Sequence, residues 1–419
     1  MTIKQGSNIP DIKIKNRLLA LQLIISKPYI SRAELARNMG LTKTTLGNIV
    51  SDLISENMIS EVETRDKQII GYGRHPIALT LSESSPVIGG MLIKRKVLTA
   101  VLGDLSGKIL AREDFRYEEL DSVSLVSILC KMFTKIYTNQ SRRIIGIGIS
   151  ALGPVDIRHQ MLLSPPNFYG IHDLQIGSII HQKTGFPTCL IHDCSGGALA
   201  EQLYGAKAKN YNSFLYLHIM NGIGAGYILH NQLYEGDTGG SGEIGHTSID
   251  INGPRCDCGN RGCVELYANV PHMCDKIVDL KASYPFLIKD SRFALNNKIN
   301  SSDICAIPER WEDIIDAAQN RDYFAVSALD EFCSYLSGAL RSVINLLDVR
   351  HLIVGYDSYH STEIVENIMS RKLNNTTGYL SSRKVEIEHS SFGGDAPLLG
   401  SIAVIANKIF NGSINIFKS

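Results

Sequence analysis

Residues 246–263 read HTSIDINGPRCDCGNRGC, and this loop is the most informative stretch of the chain. One imidazole and three thiols lie within its eighteen positions: His246, Cys256, Cys258 and Cys263. Four soft ligands of these types suit a structural, tetrahedral Zn²⁺, and the intervening glycines let a short loop fold back on a metal. The loop therefore predicts a structural zinc site. The alternative is that the cysteines are scattered by chance or form a disulfide, for which Cys-x-Cys spacing is awkward.

Length and composition indicate a globular protein with two or three domains. The chain has 419 residues, of which 44% are apolar and 20% are charged, so it can bury sizeable cores. Its formal net charge is zero, but residues 1–50 contain eight Lys and Arg against two acids. A basic N-terminal segment on a neutral body predicts a polyanionic partner for that segment alone.

The sequence contains no export or membrane signal that we can identify. The first apolar run, residues 18–25, is interrupted by Gln22 and lacks a signal-peptide cleavage site. No run reaches the roughly eighteen apolar residues that a membrane span needs. Six of the nine cysteines stand singly in apolar or helical contexts, as buried reduced thiols do. We expect a cytoplasmic protein without membrane insertion.

The N-terminal segment has the apolar spacing of a helix-turn-helix. Three helices are predicted, over residues 14–26, over residues 32–39 and onward from Thr42. The second helix begins at Ser31 with Glu34 three positions later, which is capping-box spacing, and it ends at Gly40. Two short helices joined at a glycine turn are typical of this motif.

A wing is predicted to follow the third helix. The strand-like segments 58–64 and 77–81 flank a basic, glycine-containing stretch, which favours a two-stranded wing. Residues 82–86, SESSP, have the composition of a linker. Residues 1–85 are thus predicted to form a winged helix-turn-helix DNA-binding domain, and residues 86–419 a separate effector and oligomerisation domain.

The third helix carries a polar face opposite its apolar stripe. Short donors and acceptors with one cation suit a helix that enters the major groove, and basic wing residues suit phosphate or the minor groove. Gly47 costs such a helix about 1 kcal/mol relative to alanine, which closer approach of the backbone to DNA would offset. The predicted DNA contacts are Arg32, Thr42, Lys43, Thr44, Gly47, Asn48, Ser51, Arg65, Lys67 and Arg74. A winged helix that binds protein is the alternative.

The body alternates between strand and helix patterns over more than 300 residues, which predicts an α/β fold. Predicted strands are 97–102, 108–111, 144–150, 189–192, 214–220 and 351–355, and predicted helices are 324–347 and 398–410. We find no internal repeat in the sequence.

Five segments of the chain resemble the ROK family, which contains sugar-responsive repressors and sugar kinases. They are Gly153-Pro-Val-Asp156, Pro166-Asn-Phe-Tyr-Gly170, His192-Asp193, Gly242-Glu-Ile-Gly-His246 and Cys256–Glu265. Their order and spacing match over roughly residues 14–410, and the cysteine segment is highly specific. The resemblance implies a two-lobed, actin-like sugar-kinase fold. With a winged helix in front, it implies the repressor branch of the family.

The resemblance also implies a sugar site between the lobes. Its residues would be Asn167, Asp193, Glu243, His246 and Glu265, with His246 shared between zinc and sugar. Carboxylates, an amide and an imidazole can satisfy sugar hydroxyls, which both donate and accept hydrogen bonds. Zinc would hold pocket residues in place without doing chemistry. Alternatively, Asp193 caps a helix, Asn167 is a turn residue and Glu265 is solvated at a helix start.

The nucleotide-binding segments of the family's kinases are incomplete in this chain. The first phosphate motif, Asp-x-Gly-Gly-Thr, should lie where the sequence reads Leu92-Ile-Lys-Arg-Lys96. The second phosphate loop keeps its glycines at 222, 224 and 226, but Asn221 replaces a threonine, and the adenosine side is reduced to Gly355-Tyr-Asp357. Because the metal-phosphate anchor is lost, we predict a regulator and not an enzyme. A sugar kinase with an added DNA-binding head is the alternative.

The expected partners follow from this class. One head per chain reads one half-site, so we predict a homodimer or homotetramer on a pseudo-palindromic double-stranded DNA operator. The effector is predicted to be a sugar or sugar phosphate. A sugar-transport protein that sequesters the regulator is the alternative.

Overall fold

The computed structural model describes residues 9–63, 77–138, 140–166, 168–219, 222–291, 307–357, 363–375 and 383–417. Within these ranges the chain forms a small N-terminal head and a larger body of two lobes. No helix in the described ranges is long and apolar enough to cross a membrane.

The head is built from three helices and a small sheet. Its elements are α1 (Ile9–Ser26), β1 (Ile30–Ser31), α2 (Arg32–Met39), α3 (Lys43–Ser55), β2 (Ile59–Glu63) and β3 (Ile77–Leu81). Ser31 caps α2 by accepting from the Glu34 amide at 3.2 Å, and Gly40 ends it at φ +64°. These local signals place the helix boundaries where the sequence predicts them. The predicted strand segments 58–64 and 77–81 form β2 and β3, which pair antiparallel.

The first lobe contains a five-stranded sheet. Its strands are β4 (Val87–Lys94), β5 (Val97–Asp104), β6 (Ile109–Arg116), β7 (Ile144–Ala151) and β10 (Thr188–His192). Sheet order is β10-β7-β4-β5-β6, with β4, β5 and β6 antiparallel and β4, β7 and β10 parallel. The remaining elements are β8 (Val155–Asp156), β9 (Met161–Leu162), α4 (Ser122–Tyr137) and α5 (Ile176–Thr184). The two helices cover one sheet face and bury one of the molecule's hydrophobic cores.

The second lobe repeats this topology. Its strands are β11 (Phe214–Ile219), β12 (Ile223–Leu229), β13 (Gln232–Tyr234), β14 (His351–Tyr356) and β15 (Glu386–His389), in the order β13-β12-β11-β14-β15. Its helices are α7 (Val264–Tyr267), α8 (Val270–Ser283), α9 (Ile307–Gln319), α10 (Tyr323–Leu347) and α11 (Glu363–Asn374). An antiparallel meander followed by two parallel strands thus occurs twice. The fold is duplicated although the sequence shows no repeat, because many apolar sequences satisfy one topology.

Two helices pass between the lobes. Helix α6 (Asp193–Tyr204) follows the last strand of the first sheet but packs on β11 and β12. Helix α12 (Ala396–Phe410) follows the last strand of the second sheet but packs on β4, β7 and β10. The helices cross where Gly196 meets Gly400, and a Cβ on Gly400 would lie 2.4 Å from the Gly196 backbone. This crossing packs the two helices directly against each other between the lobes.

The segment predicted as a linker is packed at its C-terminal end, where Ser85 and Pro86 are buried, while Glu83 and Ser84 are exposed. Ser85 is 0% exposed, its carbonyl accepts from Arg142 Nε at 2.6 Å, and its hydroxyl lies 2.9 Å from Arg142 Nη2. Polar composition favours a solvated linker, but here one arginine satisfies the buried backbone and hydroxyl groups. The head is therefore docked on the body.

The C-terminal segment strengthens this docking. The Arg17 guanidinium in α1 lies 2.6 Å from Glu56, just after α3, and 3.8 Å from the centre of the Phe417 ring. Arg143 Nη2 donates to the Ile416 carbonyl at 2.6 Å. Apolar residues of the head, of α12 and of this segment share one core. The C-terminal segment therefore packs α12 and the helices of the head into one core.

Candidate metal cluster, effector cleft and nucleic-acid surface

The four predicted metal ligands meet in space. Their ligand atoms all lie within 4.8 Å of one another. His246 Nδ1 is 3.7 Å from Cys256 Sγ, and Cys258 Sγ is 3.7 Å from Cys263 Sγ. Tetrahedral ligands at a Zn–S distance of about 2.3 Å are separated by about 3.8 Å. The cluster thus has the donor types and the spacing that suit one tetrahedral metal ion. Cys256, Cys258 and Cys263 carry free thiols, so the alternative disulfide does not form among them.

Backbone contacts hold the loop in the shape that brings these ligands together. The Cys256 amide donates to the Asn260 carbonyl at 2.9 Å, and the Gly262 amide donates to the Pro254 carbonyl at 2.9 Å. Gly262 has φ +62°, and a Cβ there would lie 1.8 Å from the Asp250 carbonyl oxygen. Only glycine fits this position, which explains one of the glycines between the cysteines.

The cluster is attached to two elements that carry predicted sugar ligands. His246 ends a short 3₁₀ helix (Ile244–His246) that directly follows Glu243. Cys263 directly precedes α7, which carries Glu265. The Val264 amide also donates to the Thr247 carbonyl at 3.0 Å, which ties the two elements together. A metal in the loop would fix the positions of both carboxylates.

A buried carboxylate and imidazole lie where the two lobes meet. Asp193 and His192, at the junction of β10 and α6, are 2% and 4% exposed. His192 Nε2 is 3.3 Å from Asp193 Oδ1 and 3.9 Å from Glu243 Oε1. Gly153 packs against this group, since a Cβ there would lie 2.6 Å from Glu243 Oε1. First-lobe and second-lobe residues therefore enclose Asp193 together.

Two buried polar atoms in this cleft lack a partner within the described ranges. They are Glu243 Oε1 and His192 Nδ1. A buried polar atom without a hydrogen bond costs about 1–3 kcal/mol, so such atoms mark a place for a polar ligand or water. A polyhydroxylated molecule supplies both donors and acceptors at these positions.

Glu265 stands on the second-lobe wall. Its Oε2 accepts from the Ile223 amide at 3.2 Å. A Cβ on Gly222 would lie 2.8 Å from that oxygen, and a Cβ on Gly245 would lie 3.1 Å from it. Glu265 therefore lies in the first turn of α7, is partly buried and is held between two glycines.

The structure brings only some of the predicted sugar residues together. Asp193 and Glu243 face the same imidazole, whereas the Nδ1 atom of His246 faces Cys256. Asn167 lies outside the described residues. The sequence reasoning did not select His192 as a cleft residue. The sequence feature that could have identified His192 is its position at the end of an apolar strand, directly before Asp193.

The segment in place of the first phosphate motif comprises the last three residues of β4 and the two-residue turn that leads to β5. Lys94, the last residue of β4, extends to the second lobe, where its Nζ lies 2.6 Å from Asp357 Oδ1. The ammonium group of Lys94 and the carboxylate of Asp357 thus pair between the segment that replaces the first phosphate motif and the reduced adenosine-side segment.

The predicted second phosphate loop is partly strand, which corrects the sequence interpretation. Gly224 and Gly226 belong to β12 and pack against α6. A Cβ on Gly224 would lie 2.3 Å from Cys194 Sγ, and one on Gly226 would lie 2.3 Å from the Cys194 carbonyl oxygen. Close packing of a strand on a helix therefore explains these glycines without a phosphate. Asn221 lies outside the described residues.

Helix α3 carries five of the ten predicted DNA contacts. Lys43, Thr44, Asn48 and Ser51 are exposed, and Gly47 is half-buried. Thr42 is engaged as the cap of α3 and accepts from the Thr45 amide at 3.2 Å. Arg32 Nε donates to Glu61 at 2.8 Å, which anchors α2 to β2. The wing residues Arg65, Lys67 and Arg74 lie outside the described residues.

Comparison with known proteins agrees with this architecture. A protein-family model for the ROK family matches residues 89–408. The xylose repressor of Bacillus spizizenii is 30% identical over 399 residues, which cover 94% of this chain and 95% of that protein. A solved ROK family transcriptional regulator, described as a homologue of the Escherichia coli Mlc protein, has a TM-score of 0.74 at 26% identity and covers 96% of this chain and 98% of that one.

The body alone resembles a kinase. A ROK family glucokinase from Streptomyces griseus, in complex with glucose and AMPPNP, has a TM-score of 0.64 at 22% identity. It covers 76% of this chain and 98% of that one, and this likeness shows the fold alone. Fold and site together define a transcriptional regulator with a helix-turn-helix head on a two-lobed, kinase-like body. The chain belongs to the ROK family. The family and fold predictions are confirmed.

Proposed function

We propose that this protein is a sugar-responsive DNA-binding repressor of carbohydrate uptake or metabolism genes. The proposal is carried by the combination of a head, whose helix α3 exposes a polar face, with a kinase-like body. In that body, Lys94 and Asp357 pair with each other at the segments where the family's kinases bind nucleotide. Residues 1–85 would form the DNA-binding domain and residues 86–419 the effector and oligomerisation domain. We place its action in the cytoplasm, where operator DNA and imported sugar meet.

We infer that the effector is a sugar bound by the enclosed carboxylates. Asp193 and Glu243 face one another across His192, and the unpartnered atoms there suit hydroxyl groups. Asn167, His246 and Glu265 would complete the site. Relatives named xylose repressor make D-xylose the first sugar to test.

Zinc is the metal that best suits the cluster at His246, Cys256, Cys258 and Cys263. A closed set of three thiolates and one imidazole is typical of structural zinc and provides no open position for chemistry. When bound, zinc would supply only a rigid link between the 3₁₀ helix that follows Glu243 and the helix that carries Glu265.

ATP-dependent sugar phosphorylation is not part of the proposal. Phosphoryl transfer requires residues that hold a metal-bound phosphate, and a lysine pairs with an aspartate where that anchor would lie. A coupled assay for ADP release over a panel of hexoses, N-acetylhexosamines and pentoses tests this point. Sugar-dependent ADP release at an enzymatic rate would support the kinase alternative.

The decisive experiment is calorimetry with D-xylose and the same panel, including sugar phosphates, followed by operator binding with and without the sugar that binds. We expect saturable binding without nucleotide, and release of DNA at the same sugar concentrations, because a ligand acts only through its different affinity for two states. Sugar that binds tightly while operator affinity stays constant would contradict the mechanism. If no sugar binds, a sugar-transport protein becomes the effector to test by pull-down.

A further inference from the structure

An ion pair between Lys94 and Asp357 joins the two lobes at the segment that replaces the first phosphate motif. Lys94 ends β4 in the first lobe, and Asp357 directly follows β14 in the second. Lys94 Nζ is 2.6 Å from Asp357 Oδ1 and 3.5 Å from the Gly394 carbonyl oxygen. The two side chains are only 18% and 31% exposed, so water and salt screen this interlobe pair less than a surface ion pair.

Each member of the interlobe pair is positioned by its own lobe. His218 Nε2 lies 3.2 Å from Asp357 Oδ1, and the Tyr216 hydroxyl lies 2.7 Å from His218 Nδ1. In the first lobe, the Tyr117 hydroxyl donates to the Lys94 carbonyl at 2.7 Å. Burial by itself would raise the pKa of Asp357, but Lys94 and His218 outweigh it and hold this pKa well below its ordinary value. The pair is therefore charged and preorganised.

The lobes are closed over the effector cleft in the conformation that carries this pair. Asp193 is 2% exposed although it belongs to the predicted sugar site. First-lobe Gly153 packs against second-lobe Glu243, where a Cβ on the glycine would lie 2.6 Å from Glu243 Oε1. A sugar could not reach Asp193 from solvent without some opening of the lobes.

We infer that Lys94 and Asp357 are positioning residues that stabilise the closed form and thereby set the affinity for sugar from outside the sugar site. This inference rests on the proposed function. Apparent affinity falls in proportion to the population of the binding-competent form, so loss of the pair weakens sugar binding without removing a contact to sugar. The nearby Arg112–Asp395 ion pair, at 3.0 Å, would remain and keep the effect moderate.

Calorimetry with D-xylose tests this inference on the full-length protein. We expect Lys94→Met and Asp357→Asn each to raise the dissociation constant about three- to tenfold, the scale of a modest allosteric coupling. The double variant should show little further loss, because both changes remove one interaction. Lys94→Arg should retain most of the affinity. Lys96→Met is the matched control, since that lysine lies in the same turn with a side chain 62% exposed.

A second readout needs neither sugar nor DNA. Small-angle X-ray scattering of the free protein should show a larger radius of gyration for Lys94→Met than for wild type or Lys96→Met. Unchanged xylose affinity in both single variants, or an unchanged radius, would overturn the inference. If wild type itself does not bind xylose, the proposed choice of sugar fails, and the scattering comparison still decides whether the pair holds the lobes closed.

Discussion

Single residues of the cysteine loop carry the first prediction. Cys258→Ser should abolish zinc binding, because it removes an exposed ligand from a set whose other members lie within 4.8 Å. Sugar affinity should fall with it, since the loop holds the elements that carry Glu243 and Glu265. Metal analysis of purified protein, followed by calorimetry, checks both effects.

Cys130→Ser is the control for that variant. Cys130 is a half-buried, free thiol on α4, remote in sequence from the loop. It should leave metal content and sugar affinity unchanged. Wild-type zinc content and wild-type sugar binding in Cys258→Ser would refute the zinc assignment.

The carboxylate of Asp193 carries the second prediction. Asp193→Asn should weaken sugar binding roughly tenfold, which is the scale of losing one charge-assisted hydrogen bond. It should leave operator affinity in the absence of sugar unchanged, because the residue lies in the body and not in the head. Titration of sugar into the variant, and of operator into the sugar-free variant, separates the two effects.

Asp173→Asn is the matched control, since its side chain is 69% exposed. Equal sugar affinity in wild type and Asp193→Asn would remove Asp193 from the site. Lost operator binding in the sugar-free variant would show that the substitution damages the fold.

At the scale of elements, replacement of Gly47 in α3 is predicted to change the free energy of unfolding and the affinity for operator DNA in opposite directions. A Cβ on Gly47 would meet nothing within 4 Å, so no packing inside the protein requires glycine there. Gly47→Ala should stabilise the protein by about 0.5–1 kcal/mol, as expected for this change in a helix interior. It should lower operator affinity if the backbone approaches DNA at this point.

Urea unfolding and operator titration measure these two effects, and Gly338→Ala provides the comparison. Gly338 lies within α10 and also has nothing within 4 Å of a built Cβ. It should give the same gain in stability with no change in operator affinity. If Gly47→Ala binds operator as well as Gly338→Ala does, Gly47 has no role at the DNA interface.

At the scale of the whole molecule, the single head predicts the assembly. One α3 helix reads one half-site, so full affinity should require two heads on a pseudo-palindrome with half-sites about one or more helical turns apart. Light scattering of the free protein should show a dimer or tetramer. Shifting one half-site by about 5 base pairs, half a helical turn, should reduce affinity strongly. A monomer that binds one half-site with full affinity would contradict this prediction.

The path from effector to head also belongs to this scale. Sugar would act on the lobes, and α6 and α12 cross between the lobes at Gly196 and Gly400. The chain that follows α12 packs Phe417 against Arg17, which is paired with Glu56 at the end of α3. Lobe movement therefore has a continuous packed route to the recognition helix.

Local features of this protein were predictable because they depend on neighbours in the sequence. The cap of α2 involves Ser31 and Glu34, and the four residues of the candidate metal cluster lie within eighteen positions, so residue type and spacing were sufficient to predict that each set meets. The helix-turn-helix and the family motifs followed in the same way. The wing residues and Asn167 stay predictions, since they lie outside the described residues.

Only the tertiary structure showed the features that depend on distant residues. Lys94 and Asp357 are 263 positions apart, and local periodicity carries no information about such a pair. The buried Ser85, the strand glycines at 224 and 226 and the duplicated lobes were likewise decided by packing, because a partner from another element satisfies or excludes each side chain. The sequence by itself determined the chemistry of the ligands and the order of the domains. Tertiary packing determined which lobe each group faces and how the lobes are held together.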